Sequence, residues 1–508
     1  MKINQLKAGA ALSYISMGIG YLVSIIYTPI MLRLLGQSEY GLYNLVASVV
    51  AYLGVLNFGF GSTYIRYYSR YKFQDERKKI ATLNGMMVII FSFIGLIAIL
   101  AGIFLAMNTE LIFGSQLTVK ELSRAKILMM ILVVNLGLSF PNVIFSSYIS
   151  ANEKFVIQNL IQMITIVVNP FIVLPILLMG YGSIGLVVVS TLLNVTVEVI
   201  NAIYCIRKLK MTFYFRNFDF KLMREMFVFS SYIFFNLVVD QINWNVDKFI
   251  IGRFHGTISV AIYGLASQLN TYYISISTAI SNVFIPRVHR LIASSSSNQV
   301  LTELFTRIGR LQFILLSLIS TGLIFFGKSF INMWGGNNYS DSYPIVLLLI
   351  IPATISSIQN IGIEIQRAKN MHKFRSWLYF FIALGNLIIS IPLTKLYGGA
   401  GSAFGTSIAI IIGNGLIMNW YYHNKIGLDI KFFWKQIFSF VPALVAPILT
   451  GIFISNVFNL NRLFNFIGFG MIYVIIFFIS MWFLGMNQYE KNLIEKPIRR
   501  VVGLLVSK

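Results

Sequence analysis

Long apolar runs separated by short polar clusters set the pattern of this chain from end to end. Fourteen stretches are long enough to cross a bilayer as helices: 10–34, 41–63, 83–107, 125–150, 156–180, 182–206, 226–252, 257–283, 305–327, 342–366, 374–398, 399–423, 432–456 and 463–485. A membrane helix needs roughly 20 predominantly apolar residues, and no soluble fold repeats runs of that length so often. Continuous runs also exclude a β-barrel, whose signal is alternation over about ten residues. The expected fold is therefore all-α: a polytopic membrane protein of about 14 transmembrane helices.

The pattern repeats after about 220 residues. Arg33-Leu-Leu-Gly36 through Tyr43-Asn-Leu45 aligns without gaps on Arg253-Phe-His-Gly256 through Tyr263-Gly-Leu265. Gly102 meets Gly322, and at slightly shorter offsets Lys154-Phe155 meets Lys373-Phe374 and Tyr181-Gly182 meets Tyr397-Gly398. Spans 1–6 and 7–12 thus read as two six-helix pseudo-repeats, followed by a C-terminal helix pair. Six is even, so both copies enter the membrane in the same direction, with a pseudo-two-fold axis along its normal and a cleft between them. The expected division is an N-terminal bundle over 1–206, a linker over 207–225, a second bundle over 226–423, and the final pair with its tail over 424–508.

One span breaks the apolar rule. In span 7, Asn236, Asp240, Asn243 and Asp247 fall at about 0°, 40°, 340° and 20° on a helical wheel, one narrow polar stripe. A carboxylate at the centre of a membrane helix costs about 2.5–3.5 kcal/mol, so this stripe and the adjacent Lys248 must face protein or water rather than lipid. Gln241, Lys248 and Asn245 form a second polar face over the same turns. The stripe is the expected cavity lining, with Arg33 and Arg253 at one mouth and Arg66 at the other. Asp240, Asp247 and Glu198 (span 6) are the candidate ion-coupling acids, with H+ or Na+ as the coupling ion; structural ion pairing is the alternative role for the two aspartates.

Charge then orients the chain. With the N-terminus inside, 31 of the 40 Lys and Arg residues fall on the cytoplasmic side and eight outside, a positive-inside bias that puts both termini in the cytoplasm. The net charge of +23 is accounted for by topology and by attraction to anionic lipids, without nucleic acid. The single cysteine, Cys205, forbids an internal disulfide, and His255, His289, His372 and His423 are too scattered to suggest a metal site. No phosphate-binding Gly-Lys loop is present, which argues against ATP-driven transport by this chain alone. Short loops on the outer side and the lack of a clustered acid–base constellation argue against an enzyme.

Certain segments resemble a known family. Tyr27-Thr-Pro-Ile-Met-Leu-Arg33-Leu-Leu-Gly36-Gln-Ser-Glu-Tyr40-Gly41-Leu-Tyr43, Asn57-Phe-Gly59-Phe-Gly61-Ser-Thr-Tyr-Ile-Arg66 and Asp247-Lys-Phe-Ile-Ile-Gly252 resemble elements of the Wzx-type oligosaccharide flippases. These belong to the multidrug/oligosaccharidyl-lipid/polysaccharide exporter superfamily. The resemblance implies a bacterial cytoplasmic-membrane protein that moves an undecaprenyl-pyrophosphate-linked oligosaccharide across the bilayer by alternating access. It further implies a cationic cavity, mapped here onto Lys248, Arg66, Arg33 and Arg253, with Asn236 and Asn243 beside them. The expected partners are the lipid-linked substrate, membrane lipids, and a polysaccharide polymerase with its assembly enzymes; no cofactor is expected. The competing readings are an ion-coupled organic-cation antiporter and a lipid II-type flippase of the same superfamily.

Overall fold

A computed structural model of the protein describes residues 5–216, 218–371 and 373–495; His372 and the chain beyond 495 lie outside them. Among the described residues, ten helices are long and apolar enough to cross a membrane, or eleven when Ser342–Ser357 and Ile361–Ala368, bent by 40°, count as one span. Three are too long for a single crossing. The helix α1 (Gln5–Leu53) has 49 residues, α8 (Phe220–Ala293) has 74, and α12 runs over Lys373–Ile410. At 1.5 Å per residue α8 would be more than three times the roughly 30 Å of hydrocarbon. Each is broken at one glycine with positive φ: Gly36 (φ 74°), Gly256 (φ 74°) and Gly398 (φ 60°). Dividing each at its glycine carries the eleven to the expected fourteen.

The remaining helices in order are α2 (Phe60–Phe73), α3 (Arg77–Met107), the short α4 (Thr109–Phe113), α5 (Val119–Ala151), α6 (Phe155–Leu178) and α7 (Gly182–Ile203), before α8. After it come α9 (Asn298–Trp334), α10 (Ser342–Ser357) and α11 (Ile361–Ala368). The short α13 (Met418–Tyr421) and α14 (Ile430–Phe438) follow α12, and the final pair is α15 (Val441–Val457) and α16 (Leu463–Ser480).

The duplication is written in the backbone. Positive-φ residues pair off about 220 residues apart: Gly36 with Gly256, Asp75 with Ser295, Gly114 with Gly336, Glu153 with Asn370, Gly182 with Gly398, and Lys210 with Gly427. Left-handed residues mark where helices end, so the two copies turn at the same places. Phe58, Gly59 and Gly180 have no such counterpart. The first two mark a departure from the expected continuous span 2. There α1 ends at Leu53, a 3-10 turn covers Gly54–Asn57, and α2 starts anew at Phe60. A Cβ on Gly59 would lie 2.3 Å from the Ile233 side chain, so glycine lets the break press directly on α8.

The chain forms two compact units, Met1–Gly264 with Thr394–Gly399, and Leu265–Leu393 with Ala400–Lys508. The division falls inside α8, beyond the expected linker over 207–225, because the first part of α8 packs on α2 through the broken span. In the first unit, the core runs through Phe60, Tyr64, Phe91, Phe140 and Met226. In the second, Phe326, Ile454 and Tyr473 pack together and the Tyr473 hydroxyl donates to Thr321 Oγ1 at 2.7 Å, joining the final pair to α9. A buried ion pair adds to this: Arg310 Nε and Nη2 reach Glu490 at 2.6 and 2.9 Å.

Candidate functional site

The polar stripe lies on the first part of α8, and its burial changes steadily along the helix. Asn236 and Asp240 are exposed, Asn243 is half-buried, and Asp247 is buried at 5% exposure. An exposed aspartate in the middle of an apolar helix has to be kept off lipid, by water or by a polar partner. The stripe is therefore open toward its start and closed toward Gly256.

Asp247 is held where the stripe closes. Tyr263, on the far side of the Gly256 break, donates its hydroxyl to Asp247 Oδ2 at 2.6 Å. Lys248, half-buried, stands next to it. The second polar face is partly satisfied within its own helix, as Asn245 Nδ2 donates to Gln241 Oε1 at 2.6 Å. An i,i+4 pair of this kind lets two carboxamides sit in an apolar helix at little cost.

At the open end, the guanidinium of Arg66 lies 4.4 Å from the centre of the Phe229 ring and is exposed. Phe229 is seven residues before Asn236, about two turns, so it shares the face of the stripe. Thr63 and Ser230 are hydrogen-bonded at 2.7 Å just beside it, and Phe58 stacks on Phe234 at 4.5 Å between centroids. The broken span 2 thus carries Arg66 to the start of the stripe. The sequence reading set Arg66 at one mouth of the cleft; its contact with Phe229 through the break in span 2 is what the structure adds.

The closed end is a knot of mutual hydrogen bonds. Glu121 accepts from Ser38 Oγ at 2.8 Å and from Thr257 Oγ1 at 2.6 Å. Glu39 pairs with Arg124 and accepts the Ser183 hydroxyl. Arg253 Nη1 donates to the carbonyls of Leu111 and Ile112 at 2.8 and 2.6 Å. His255 Nε2 sits 2.6 Å from the Thr394 carbonyl oxygen. Arg33 is exposed at the end of the first apolar run. Arg253 is thus committed to backbone in this state, while Arg66 presents its charge at the open end.

Glu198 stands apart, half-buried on α7. With Asn194 it lines a cavity of about 370 Å³ between α1, α5 and α7, facing Asn135, Ser139 and Asn142 of α5. Ala47, Val50 and Ala51 of α1 make a small apolar wall, and Leu132, Leu136 and Val197 add apolar surface on α5 and α7. Sequence reading singled out Glu198 but missed its neighbours. Their signal was present: Asn135, Ser139 and Asn142 are spaced i,i+4,i+7, as are Asn194, Glu198 and Asn201, each a polar stripe like that of span 7.

The family described as Polysaccharide biosynthesis protein matches residues 6–292, more than half of the chain. This chain belongs to that family. A candidate O-antigen transporter of Shigella flexneri is 21% identical over 407 residues, covering 79% of this chain and 94% of that protein. The teichuronic acid biosynthesis protein TuaB of Bacillus subtilis is 23% identical over 245 residues, 47% of this chain and 49% of its own length. Among solved structures, the lipid II flippase MurJ in an inward closed conformation superposes with a TM-score of 0.73 at 18% identity, covering 92% of this chain and 98% of that one. An inward-facing multidrug transporter of the MATE family gives 0.67 at 10% identity, covering 83% and 99%. At these identities the likeness shows the fold: a polytopic all-α transporter architecture shared with MurJ and the MATE proteins.

Proposed function

We propose that this protein is a flippase that carries an undecaprenyl-pyrophosphate-linked oligosaccharide across the bacterial cytoplasmic membrane by alternating access. The observation that carries the reading is the graded stripe on α8, with the exposed Arg66 at its open end. The positive-inside bias puts that open end in the cytoplasm and the hydrogen-bonded knot around Glu121 outside. Cargo made in the cytoplasm then meets a cation first, at the mouth of a polar, water-accessible track, while its polyprenyl tail stays in lipid. Arg66 is suited to a phosphate because its planar fork can donate two hydrogen bonds at once. Lys248 provides a second positive charge farther along.

The outer knot must open for release. Thr257–Glu121, Ser38–Glu121 and Arg253 on its carbonyls are the bonds that would break. Asp240, exposed on the stripe, is the acid placed to take up H+ or Na+ from the cytoplasmic side, and Asp247, buried and bonded to Tyr263, serves the closed end. Membership of the family and the related O-antigen and teichuronic acid proteins support a polysaccharide cargo and no catalytic step.

The test uses inverted vesicles carrying a labelled undecaprenyl-pyrophosphate oligosaccharide in the leaflet that was cytoplasmic. Arrival of label in the opposite leaflet that needs the protein and falls in Arg66→Ala and Lys248→Ala supports the reading. Absence of transfer, with organic cations pumped under a proton or sodium gradient instead, would replace it with a drug antiporter.

A further inference from the structure

The cavity between α1, α5 and α7 lies off the α8 stripe, and its chemistry differs from that of the cationic track. Among the described residues, its lining contains no lysine or arginine. The α1 side is apolar and built from small side chains, Ala47, Val50 and Ala51; the α5 and α7 sides set carboxamide, hydroxyl and carboxylate groups among Leu132, Leu136 and Val197. All of these residues belong to the first compact unit.

Both hydrogen-bond polarities are on offer there. Asn135 Oδ1 is buried without a partner among the described residues, an acceptor left without a donor. Asn142 Oδ1 instead faces Asn201 Nδ2 at 3.4 Å, which leaves the Asn142 amide group to donate. A ligand that supplies a donor satisfies that acceptor. A bare cation would suit the oxygens but not an amide donor. Volume points the same way: about 370 Å³ is many times the ~30 Å³ share of one water and falls within the ~300–1,000 Å³ range of small-molecule sites. A hydroxyl both donates and accepts, and a sugar ring has a C–H face for the small apolar wall and a hydroxyl edge for the polar one.

We propose that this cavity is a sugar subsite, which holds one or two uncharged residues of the glycan with Asn135, Asn142, Asn194 and Glu198 as its hydrogen-bonding groups. The inference rests on the flippase reading, since it supplies the glycan. It adds a division of labour: phosphate on Arg66 and the α8 track, sugar between α1, α5 and α7.

The protein's one natural cysteine, Cys205, is buried, so an introduced thiol can report on the cavity. Ala51→Cys and, separately, Val197→Cys are placed in the full chain in lipid nanodiscs and labelled with a water-soluble cationic methanethiosulfonate reagent. Maltose, lactose and N,N′-diacetylchitobiose are the probes, with sodium chloride against choline chloride as the cation arm. A bound disaccharide should slow labelling about tenfold at ten times its dissociation constant. Asn135→Leu in the same backgrounds should abolish the protection, each variant's rate with sugar being compared with its own rate without sugar. Protection by none of the three sugars at either position, protection by sodium alone, or thiols that never label would each overturn the subsite. Flipping by the unsubstituted protein is scored separately. Cargo transfer without sugar protection sinks the subsite and spares the flippase; sugar protection without transfer sinks the flippase and leaves a sugar site.

Discussion

Tyr263 donates its hydroxyl to Asp247 at 2.6 Å across the Gly256 break, tying the two arms of α8 together where the polar stripe closes. The repeat gives this bond a partner position: Tyr43 corresponds to Tyr263, and Tyr27 stands where Asp247 stands in the second copy. The second copy has therefore put a carboxylate where the first has a phenol. Removing the donor with Tyr263→Phe takes a charge-assisted hydrogen bond from a buried carboxylate and should destabilise the protein by about 1.5–3 kcal/mol. Asp247→Asn retains an acceptor and should cost less. Thermal unfolding in detergent checks both, and the double variant should be clearly non-additive; additive losses would show the bond to be idle.

Gly41 sits against the same turn. A Cβ there would fall 1.8 Å from the Thr257 carbonyl oxygen and 3.2 Å from the Ala261 nitrogen, so Gly41→Ala must push α1 away from the 257–261 segment. Small residues at such helix crossings let backbones meet. The expected result is a weakened outer knot, seen as faster hydrogen exchange over 253–261 with the rest of the protein unchanged. Normal protection there would mean that the backbone yields without loss.

Much of the fold was legible in the sequence, because apolar length and period are read from residue type alone. The glycine breaks at 36, 256 and 398 fall where one span was expected to hand over to the next, and the repeat aligned Gly36 with Gly256, which share a φ of 74°. The break in span 2 was not legible: Gly54, Gly59 and Gly61 occur among other glycine-rich helices, and only the approach of Ile233 decides which one bends the chain. Nor was Arg310–Glu490, a pair 180 residues apart. The stripe on α8 was found because four polar residues share one face. The α5 and α7 stripes obey the same rule with fewer charges and shorter runs, so their wheel pattern is weaker.

That ion pair is buried on both sides. Arg310 and Glu490 are 5% and 1% exposed. The guanidinium also donates to the Gln436 and Gly485 carbonyls at 2.8 and 2.9 Å and lies 4.2 Å from the Phe440 ring. Breaking one side strands the other charge, so Glu490→Ala should cost about 3–5 kcal/mol. Pairing it with Arg310→Met should return most of the loss, since a hydrophobic pair can replace a buried ion pair. Equal unfolding temperatures for the single and double variants would contradict this.

Arg66 provides the sharpest test of cargo chemistry, because its two plausible duties separate by substitution. If it only anchors α2 on Phe229, Arg66→Lys, which keeps charge and cation–π attraction, and Arg66→Met, which keeps bulk alone, should differ little in transport. If it receives a pyrophosphate, losing the bidentate fork should matter even when the charge remains. The expected order of flipping rate is native, then Lys, then Met, with Met lower than native by about tenfold, the equivalent of roughly 1.4 kcal/mol. Raising salt should slow the native protein toward the Met variant, since an exposed cation is screened within about 10 Å at 0.1 M. A Met variant as fast as native at low salt would move the phosphate site off Arg66 and onto Lys248.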